Sequence, residues 1–456
     1  MQNLTAVILA AGKGTRMKSS LPKVLHKVGG KSMLEHVLDA AEGAGAKRKV
    51  VVVGFGGDVV KEALGERAEF VTQAEQLGTG HAVRQTESLL KNEKGSIMVL
   101  CGDTPLLTTK LLENLAVAHE ESGAAATVLT AIMPDAAGYG RVIRASDGTV
   151  EKIVEHKDAT EAERKVREVN SGIYCFDAEA LFSALSEVTA DNAQGEYYLP
   201  DVLWILKDRG EKVRAVEADD YEETLGINSR VQLAGAEKIL RQRKNIELMN
   251  AGVTIMDPGT TYVDAGVTVG RDTILYPGTW LEGNTTIGER SEIGPHTRFT
   301  NAKIGDDVIA VFSYGHDCEI DSGVTMGPYV HIRPNTHLKR DVHVGNFVEV
   351  KNSVIGAGSK LPHLSYIGDT DMGCGVNMGC GTITVNYDGR EKHRTTVGDH
   401  AFVGCNTNLV APVTVGEGAY IGAGSTITKD VEPESLAIAR ARQSAIPGWA
   451  KGKTKK

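Results

Sequence analysis

An apolar residue returns at every sixth position through most of the second half of this chain, and few patterns restrict the available folds so tightly. Val269, Leu275, Leu281, Ile287, Ile293 and Phe299 make one run; Ile320, Met326, Ile332, Leu338, Val344 and Val350 make a second; Val397, Val403, Leu409, Val415, Ile421 and Ile427 make a third. With 41% hydrophobic residues, six hits in a chosen register arise by chance about 0.5% of the time, so three such runs specify a repeat. Gly commonly follows the apolar position, as in Ile287-Gly288, Val344-Gly345 and Ile421-Gly422, which suits a repeated tight corner beside an inward-pointing side chain. The pattern predicts a triangular parallel β-helix over residues 251–456, at about 18 residues per coil.

The first half follows a different rule. From residue 1 to 228, short β-branched runs (TAVILA, KVVVVGF, SIMVLCGD) alternate with helical patterns (SMLEHVLDAAEGAG, GTGHAVRQTESLL, TKLLENLAVAHEE). That alternation implies an α/β domain, a mostly parallel sheet covered by helices. Ligands in such folds sit beyond the carboxyl ends of the strands, so the loops after VILA and IMVL are the candidate site. Residues 229–250 contain no Pro or turn pair and predict a connecting helix.

Composition sets the outer limits. At 456 residues the chain exceeds one ordinary core, so two domains are expected. A net charge of −9 argues against a nucleic-acid binder, whose affinity comes from clustered Lys and Arg; the basic tail Lys451, Lys453, Lys455 and Lys456 reads as a solvated end. No apolar stretch is long enough for a membrane span and the N-terminus lacks a signal-peptide pattern, so a cytoplasmic protein is expected. The six cysteines form no CxxC pair and read as small buried residues.

LAAGKGTRM (Leu9 to Met17), followed by Leu21, Pro22 and Lys23, succeeds a strand pattern. Its glycines let backbone N–H groups approach a polyphosphate, with Arg16 and Lys23 supplying charge. It is neither a Walker A loop nor a dinucleotide fingerprint, since Met17 stands where the third Gly would be; GGKS (Gly29 to Ser32) reads as a turn. Taken with LPKVL, QLGTGHA (Gln76 to Ala82) and CGDTPLL (Cys101 to Leu107), the loop resembles that of the sugar-nucleotide pyrophosphorylases. With the β-helix attached, nearly the whole chain is similar to the bacterial bifunctional family of N-acetylglucosamine-1-phosphate uridyltransferase and glucosamine-1-phosphate acetyltransferase.

The resemblance implies a Rossmann-like nucleotidyltransferase and a left-handed β-helix, although parallel crossovers are right-handed as a rule. It places uridine against Leu9, Ala10, Ala11, Gly12, Gln73, Gly78 and Thr79, with Lys23 and Arg16 on phosphates. Asp103 and Asn228 would bind Mg²⁺, which accepts two protein oxygens and completes its shell with water and phosphate. Gly140, Glu155 and Asn170 would read the sugar. The implied reaction is in-line attack by a sugar phosphate on the α-phosphorus of UTP, expelling pyrophosphate without a covalent intermediate. Asp103 alone would read as a strand-end helix cap.

In the β-helix, Arg333 and Lys351 are one coil apart, each following an apolar corner residue, and stacked cations repel unless an anion lies between them. This favours a phosphate clamp over a structural ladder. The repeat breaks between Met378 and Val397, where TITVNYDGREKHRTT intervenes, and a loop leaving a regular solenoid is usually functional. The resemblance assigns Arg333, Lys351, Tyr366 and Asn377 to glucosamine-1-phosphate, His363 to the general base, and Cys380, Asn386, Tyr387, Cys405, Ala423 and Arg440 to acetyl-CoA. On its own His363 would read as a structural histidine. Cys380 and Cys405 replace the small residues or serine of the family, which admits an acyl-cysteine route beside direct attack. The family further implies a homotrimer. The rival reading is a single-function pyrophosphorylase with a regulatory β-helix.

Overall fold

Strand Leu4–Ala10 (LTAVILA) is nearly all apolar because both of its faces are covered, and it lies in the interior of the first sheet. It pairs in parallel with Ala46–Val53 on one side and Ser96–Cys101 on the other, and Ala46–Val53 pairs in parallel with Glu69–Thr72. Glu168–Asp177 runs antiparallel between Ser96–Cys101 and Ala126–Ile132, and Val213–Glu217 closes the far edge in parallel. Arg141–Arg144 and Val150–Val154 form a hairpin hung on Glu168–Asp177. The sheet is therefore mostly parallel, and the loops after Ala10 and Cys101 emerge side by side at one end. Helix Met33–Gly43 starts at a capping box in which Ser32 and Glu35 satisfy each other's backbone N–H. The GGKS segment is the turn of a small hairpin, with Gly29 and Gly30 at φ +55° and +84°. This computed structural model describes residues 3–453 except Asp147; Lys455 and Lys456 of the basic tail lie outside the described residues.

Helix Arg230–Asn250 runs unbroken, and the chain divides into two compact units inside it, between Leu240 and Arg241. Within the first unit, Ala236 is buried with Ile227, Leu106, Val28 and Met33, and Leu233, Ile239 and Leu240 pack against them. Within the second, the Arg241 guanidinium lies 4.2 Å from the centre of the Tyr262 ring. Asn245, 1% exposed, donates to the carbonyls of Pro258 and Thr261 at 3.1 Å each, and Leu248 enters the β-helix core.

The second unit is a stack of short parallel strands whose inward residues form three columns. One column is Ile287, Ile304, Ile320, Leu338, Ile355, Met372, Val397 and Val415. A second passes through Leu275, Ile293, Ala310, Met326, Val344 and Leu361, and a third through Leu281, Phe299, Gly315, Ile332, Val350 and Ile367. Consecutive hexad positions occupy successive sides, which is why the sequence shows a period of six. All the positions of the three runs are buried except Val269, which is half-buried at the first coil. The runs break where coils change length: Ile304 pairs with Ile320 over a shortened coil, while Met372 pairs with Val397 over one lengthened by the loop. Gly315 carries no side chain because a Cβ there would sit 2.8 Å from Cε1 of Phe299.

One expectation needs correcting. Only Cys175 and Cys318 are buried; Cys101 and Cys380 are half-buried, and Cys374 and Cys405 are exposed. The last three stand on Gly-rich corners of the coils, where the residue after the first Gly does not face the core.

Candidate functional site

In the first unit the two adjacent loops converge on a cavity of about 270 Å³ lined by Leu9, Ala10, Ala11, Gly12, Lys23, Gln73, Gly78, Thr79, Cys101 and Asp103, together with Gln76 and Glu196. Gly14 has φ +58° and faces Lys23 so closely that a Cβ would lie 2.6 Å from that of Lys23; this contact sets Lys23 against the loop. The Lys23 ammonium donates to the Asp103 carboxylate and, at 2.9 Å, to Oδ1 of Asn228. Ile227 N–H donates to the Asp103 carbonyl at 2.8 Å, which ties the segment bearing Asn228 to the strand end. Two oxygens from distant parts of the sequence thus meet on one cation. Among the described residues no three His, Cys, Asp or Glu side chains cluster as a metal cage, and Mg²⁺ needs none when substrate oxygens complete its shell.

Gln73, 3% exposed, is fixed by donating to the Gly78 carbonyl at 3.1 Å. A carbonyl only accepts, so the amide nitrogen must lie on that side. Thr79 accepts from Leu199 N–H at 3.1 Å. Gly140, Glu155 and Asn170 also meet: Asn170 N–H donates to the Gly140 carbonyl at 2.9 Å, and a Cβ on Gly140 would lie 3.0 Å from the Glu155 carboxylate. Burial, then the nearby carboxylates of Asp158, Asp201 and Glu196, raise the Glu155 pKa. Burial and then Asp103 push the Cys101 thiol up to about 12, so it is no nucleophile at neutral pH. Gly140, Glu155, Asn170 and Asn228 lie beyond the lining of that cavity, and so does Arg16, exposed on the turn Thr15–Met17. A larger cavity of about 540 Å³ lies at the other end of these strands, around Ser96, His119 and Asp177, and holds none of the expected residues.

In the second unit Ile332 and Val350 are in register, so Arg333 and Lys351 stack one coil apart. Arg333 is paired with Glu349 at 2.8 Å. Lys351 lies against Lys392 from the inserted loop, and Lys392 is the first cause that lowers the Lys351 pKa. Two ammonium groups in contact call for an anion. Asp369, 4% exposed, supplies part of it: its carboxylate accepts from Asn352 and Asn386, and its pKa is lowered despite burial because those amides and the lysines favour the anion. Asn386 also lies 3.4 Å from the Tyr366 hydroxyl, and the loop closes through the pair Tyr387 with Lys392 and the contact of His393 with Asp388.

His363 stands exposed on a corner midway along Lys360–Gly368, between Lys360, paired with Asn377, and Tyr366, paired with Ile383. The register continues across corners. Gly381 N–H donates to Leu364 O at 2.9 Å, Asn406 N–H to Cys380 O at 2.7 Å and Gly424 N–H to Cys405 O at 2.8 Å. His363, Cys380, Cys405 and Ala423 are therefore consecutive members of one column, and the Arg440 chain reaches its end beside Gly424. Sequence reasoning missed Lys392 and Asp369. Lys392 was visible only as a cation inside the loop that breaks the repeat, and Asp369 carried no signal at all.

Comparison with known proteins bears on both units. Residues 6–171 match the family described as MobA-like NTP transferase domain, and residues 394–429 match the family described as bacterial transferase hexapeptide (six repeats). With the parallel pairing, the second match identifies the second unit as a left-handed parallel β-helix. Proteins called bifunctional protein GlmU are similar over the full length. That of Bacillus velezensis is 53% identical over 456 residues, covering 100% of each chain. That of Geobacillus thermodenitrificans is 56% identical over 438 residues, covering 96% of this chain and 95% of its own. That of Caldanaerobacter subterraneus subsp. tengcongensis is 52% identical, covering 100% and 99%.

Proposed function

The chain belongs to the family of bifunctional GlmU proteins, and from that premise we propose how its two sites divide the synthesis of UDP-N-acetylglucosamine. The β-helix acetylates glucosamine-1-phosphate with acetyl-CoA, and the first unit then transfers UMP from UTP to N-acetylglucosamine-1-phosphate, releasing pyrophosphate. The observation that supports the two-site reading is the stack of Arg333 and Lys351 with Lys392 against it, joined by an exposed His363 on the strand Lys360–Gly368 that pairs with the strand bearing Lys351. A purely regulatory β-helix has no need of such a constellation.

In the acetyl-transfer site the three cations hold the sugar phosphate, Tyr366, Asn377 and Asn386 orient the ring, and His363 takes the proton from the sugar amine as it attacks the thioester. The column Cys380, Cys405 and Ala423, with Tyr387 and Arg440, lines the acetyl-CoA groove. Direct attack of the amine on the thioester suffices, with no acyl-cysteine between. In the uridyl-transfer site the Leu9 to Gly12 backbone, Gln73, Gly78 and Thr79 hold uridine. Gly140, Glu155 and Asn170 hold the sugar, whose hydroxyls donate to the half-buried Glu155 carboxylate. Lys23 and Arg16 hold phosphates, Arg16 by swinging inward from its exposed turn. Nucleotidyltransferases of this kind typically use a divalent metal. Mg²⁺ held by Asp103 and Asn228 would neutralise charge on the phosphates, and the donor set fits because those two oxygens already converge on the Lys23 ammonium. Positioning and charge then drive in-line attack.

The domains are assigned as 1–228, a helical linker 229–250, and 251–456. The protein is placed in the cytoplasm; no helix among the described residues is long and apolar enough to cross a membrane. A homotrimer is what the family resemblance implies, and the corner ridge of Phe312, half-buried, with Tyr329 and Phe347, both exposed, whose rings follow one another at 5.7 and 5.3 Å, supplies apolar surface for contact between copies. A coupled assay with glucosamine-1-phosphate, acetyl-CoA, UTP and Mg²⁺, each omitted in turn, tests the scheme. UDP-sugar formation that persists from glucosamine-1-phosphate without acetyl-CoA would overturn the order of steps.

A further inference from the structure

Cys380 and Cys405 occupy neighbouring places in the corner column, one coil apart in register. The hydrogen bonds on either side of them, Gly379 N–H to Val403 O and Asn406 N–H to Cys380 O, are both 2.7 Å, so no bulge separates the two residues. A Cβ built on Gly379 would lie 2.8 Å from Cα of Cys405, which puts the two backbones in contact at this corner. Parallel neighbours in such a ladder have Cα atoms about 4.8 Å apart, inside the roughly 4.4–6.8 Å range that a disulfide spans. Neither residue is buried: Cys405 is exposed and Cys380 half-buried.

The other cysteines lack this arrangement. Cys175 and Cys318 are buried, and burial pushes both thiols up to about 12. Cys374 is exposed but its coil neighbours are Ala357 and Asp399: Gly375 N–H donates to Ala357 O at 2.9 Å, and Asp399 accepts from Cys374 N–H at 2.8 Å. It has no thiol within bridging reach among the described residues. Cys380, by contrast, has Cys405 on one side and His363 on the other along the column.

We propose that Cys380 and Cys405 are a dithiol that closes to an intramolecular disulfide by exchange with a low-molecular-weight disulfide, and that the closed form blocks acetyl transfer. Cys405, the more exposed, attacks one sulfur of the small disulfide as thiolate, forming a mixed disulfide and releasing one small thiol. Cys380, as thiolate, attacks the Cys405 sulfur and releases the second small thiol, which takes up the proton. Two protein thiols are oxidised, one small disulfide is reduced to two thiols, and a reductant reverses both steps. Parallel neighbours hold their Cβ atoms about as far apart as their Cα atoms, beyond the roughly 3.5–4.5 Å of an unstrained disulfide, so closure draws the two coils slightly together and leaves a bridge that is easily reduced, which suits a reversible modification. The block rests on the placement of acetyl-CoA at this corner; the bridge itself does not.

The test uses the full-length protein treated with CoA disulfide at neutral pH, then alkylated and mapped by peptide mass spectrometry, with both activities assayed on the same sample. A peptide linking Cys380 to Cys405, an acetyl-transfer rate lowered at least about tenfold and restored by dithiothreitol, and unchanged uridyl transfer are expected. In C380A, compared with its own untreated rate, Cys405 should keep a stable CoA adduct, because nothing resolves it. Treated wild type carrying only CoA adducts, or no modification, overturns the dithiol. A complete bridge with undiminished acetyl transfer overturns the block and removes acetyl-CoA from this corner.

Discussion

At the scale of single residues, the two sites differ in what a substitution should cost. Asp103→Ala deletes one of two oxygens that meet at Lys23, so UDP-sugar formation should vanish at any practical Mg²⁺ concentration while acetyl transfer is kept; a steady-state assay of each half reads this directly. His363→Ala should lower the acetyl-transfer kcat by about 10²-fold to 10⁴-fold, with little change in KM for acetyl-CoA. Raising the pH should partly rescue it, because free amine replaces the ammonium form that needed a base. Lys392→Met is the informative partner. The neighbouring ammonium lowers the Lys351 pKa, so in the intact protein Lys351 loses its charge at a lower pH than a free lysine, and the sugar KM climbs correspondingly early on the alkaline side. Removing Lys392 lets the Lys351 pKa rise, so that limb moves to higher pH even as KM at neutral pH increases about tenfold for the lost cation. A limb that stayed in place would mean that Lys351 does not titrate there. Lys23, Asp103 and Arg333 were legible because each sits in a motif or on the repeat. Asp369 was not: its importance comes from Asn352 and Asn386 meeting on it, a coincidence of three coils that no spacing advertises.

At the scale of elements, the repeat made the β-helix legible long before any site was, because a period of six survives in the sequence wherever coils keep their length. It fails between Phe299 and Ile320 and again after Val350, where coils shorten, and there the inward residues Ile304, Ala310, Leu361 and Ile367 fall outside the sequence pattern yet are buried. Position-specific glycines offer a sharper test of the stacking than the apolar columns do. A Cβ on Gly345 would lie 1.8 Å from the Pro362 carbonyl of the next coil, so Gly345→Ala should destabilise the β-helix by about 3 kcal/mol or more. Gly358, at φ +67° with nothing within 4 Å of a Cβ, should cost only about 1 kcal/mol as Ala, for its backbone alone. Scanning calorimetry should resolve the difference as a lowered melting transition in the first variant, with uridyl transfer at low temperature unaffected. Equal melting of the two variants would refute close stacking at that corner.

At the scale of the molecule, the division of labour should be physically separable, and the place of the cut decides whether each half survives. Ending the first half at residue 228 would strip away Ala236 and the packing of Leu233, Ile239 and Leu240 on Val28, Met33, Leu106 and Ile227. Two of those, Leu106 and Ile227, flank the segments that carry Asp103 and Asn228. Gly29 N–H would also lose its acceptor, Glu237, at 2.7 Å. Burying several aliphatic side chains contributes on the order of 1.5–3 kcal/mol each, against a total stability of only about 5–15 kcal/mol for a domain. A fragment of residues 1–240 should therefore fold and transfer uridyl groups, whereas 1–228 should be unstable or inactive. The converse holds for the second half. Beginning at 250 removes Arg241 from the Tyr262 ring, Asn245 from the carbonyls of Pro258 and Thr261, and Leu248 from the core, leaving the first coil uncapped, so 241–456 should be the more stable acetyltransferase. Circular dichroism melting and the two assays on these four fragments test both cuts at once. Equal stability and activity of 1–228 and 1–240 would mean that the connecting helix is a mere tether, and the boundary would return to its amino end.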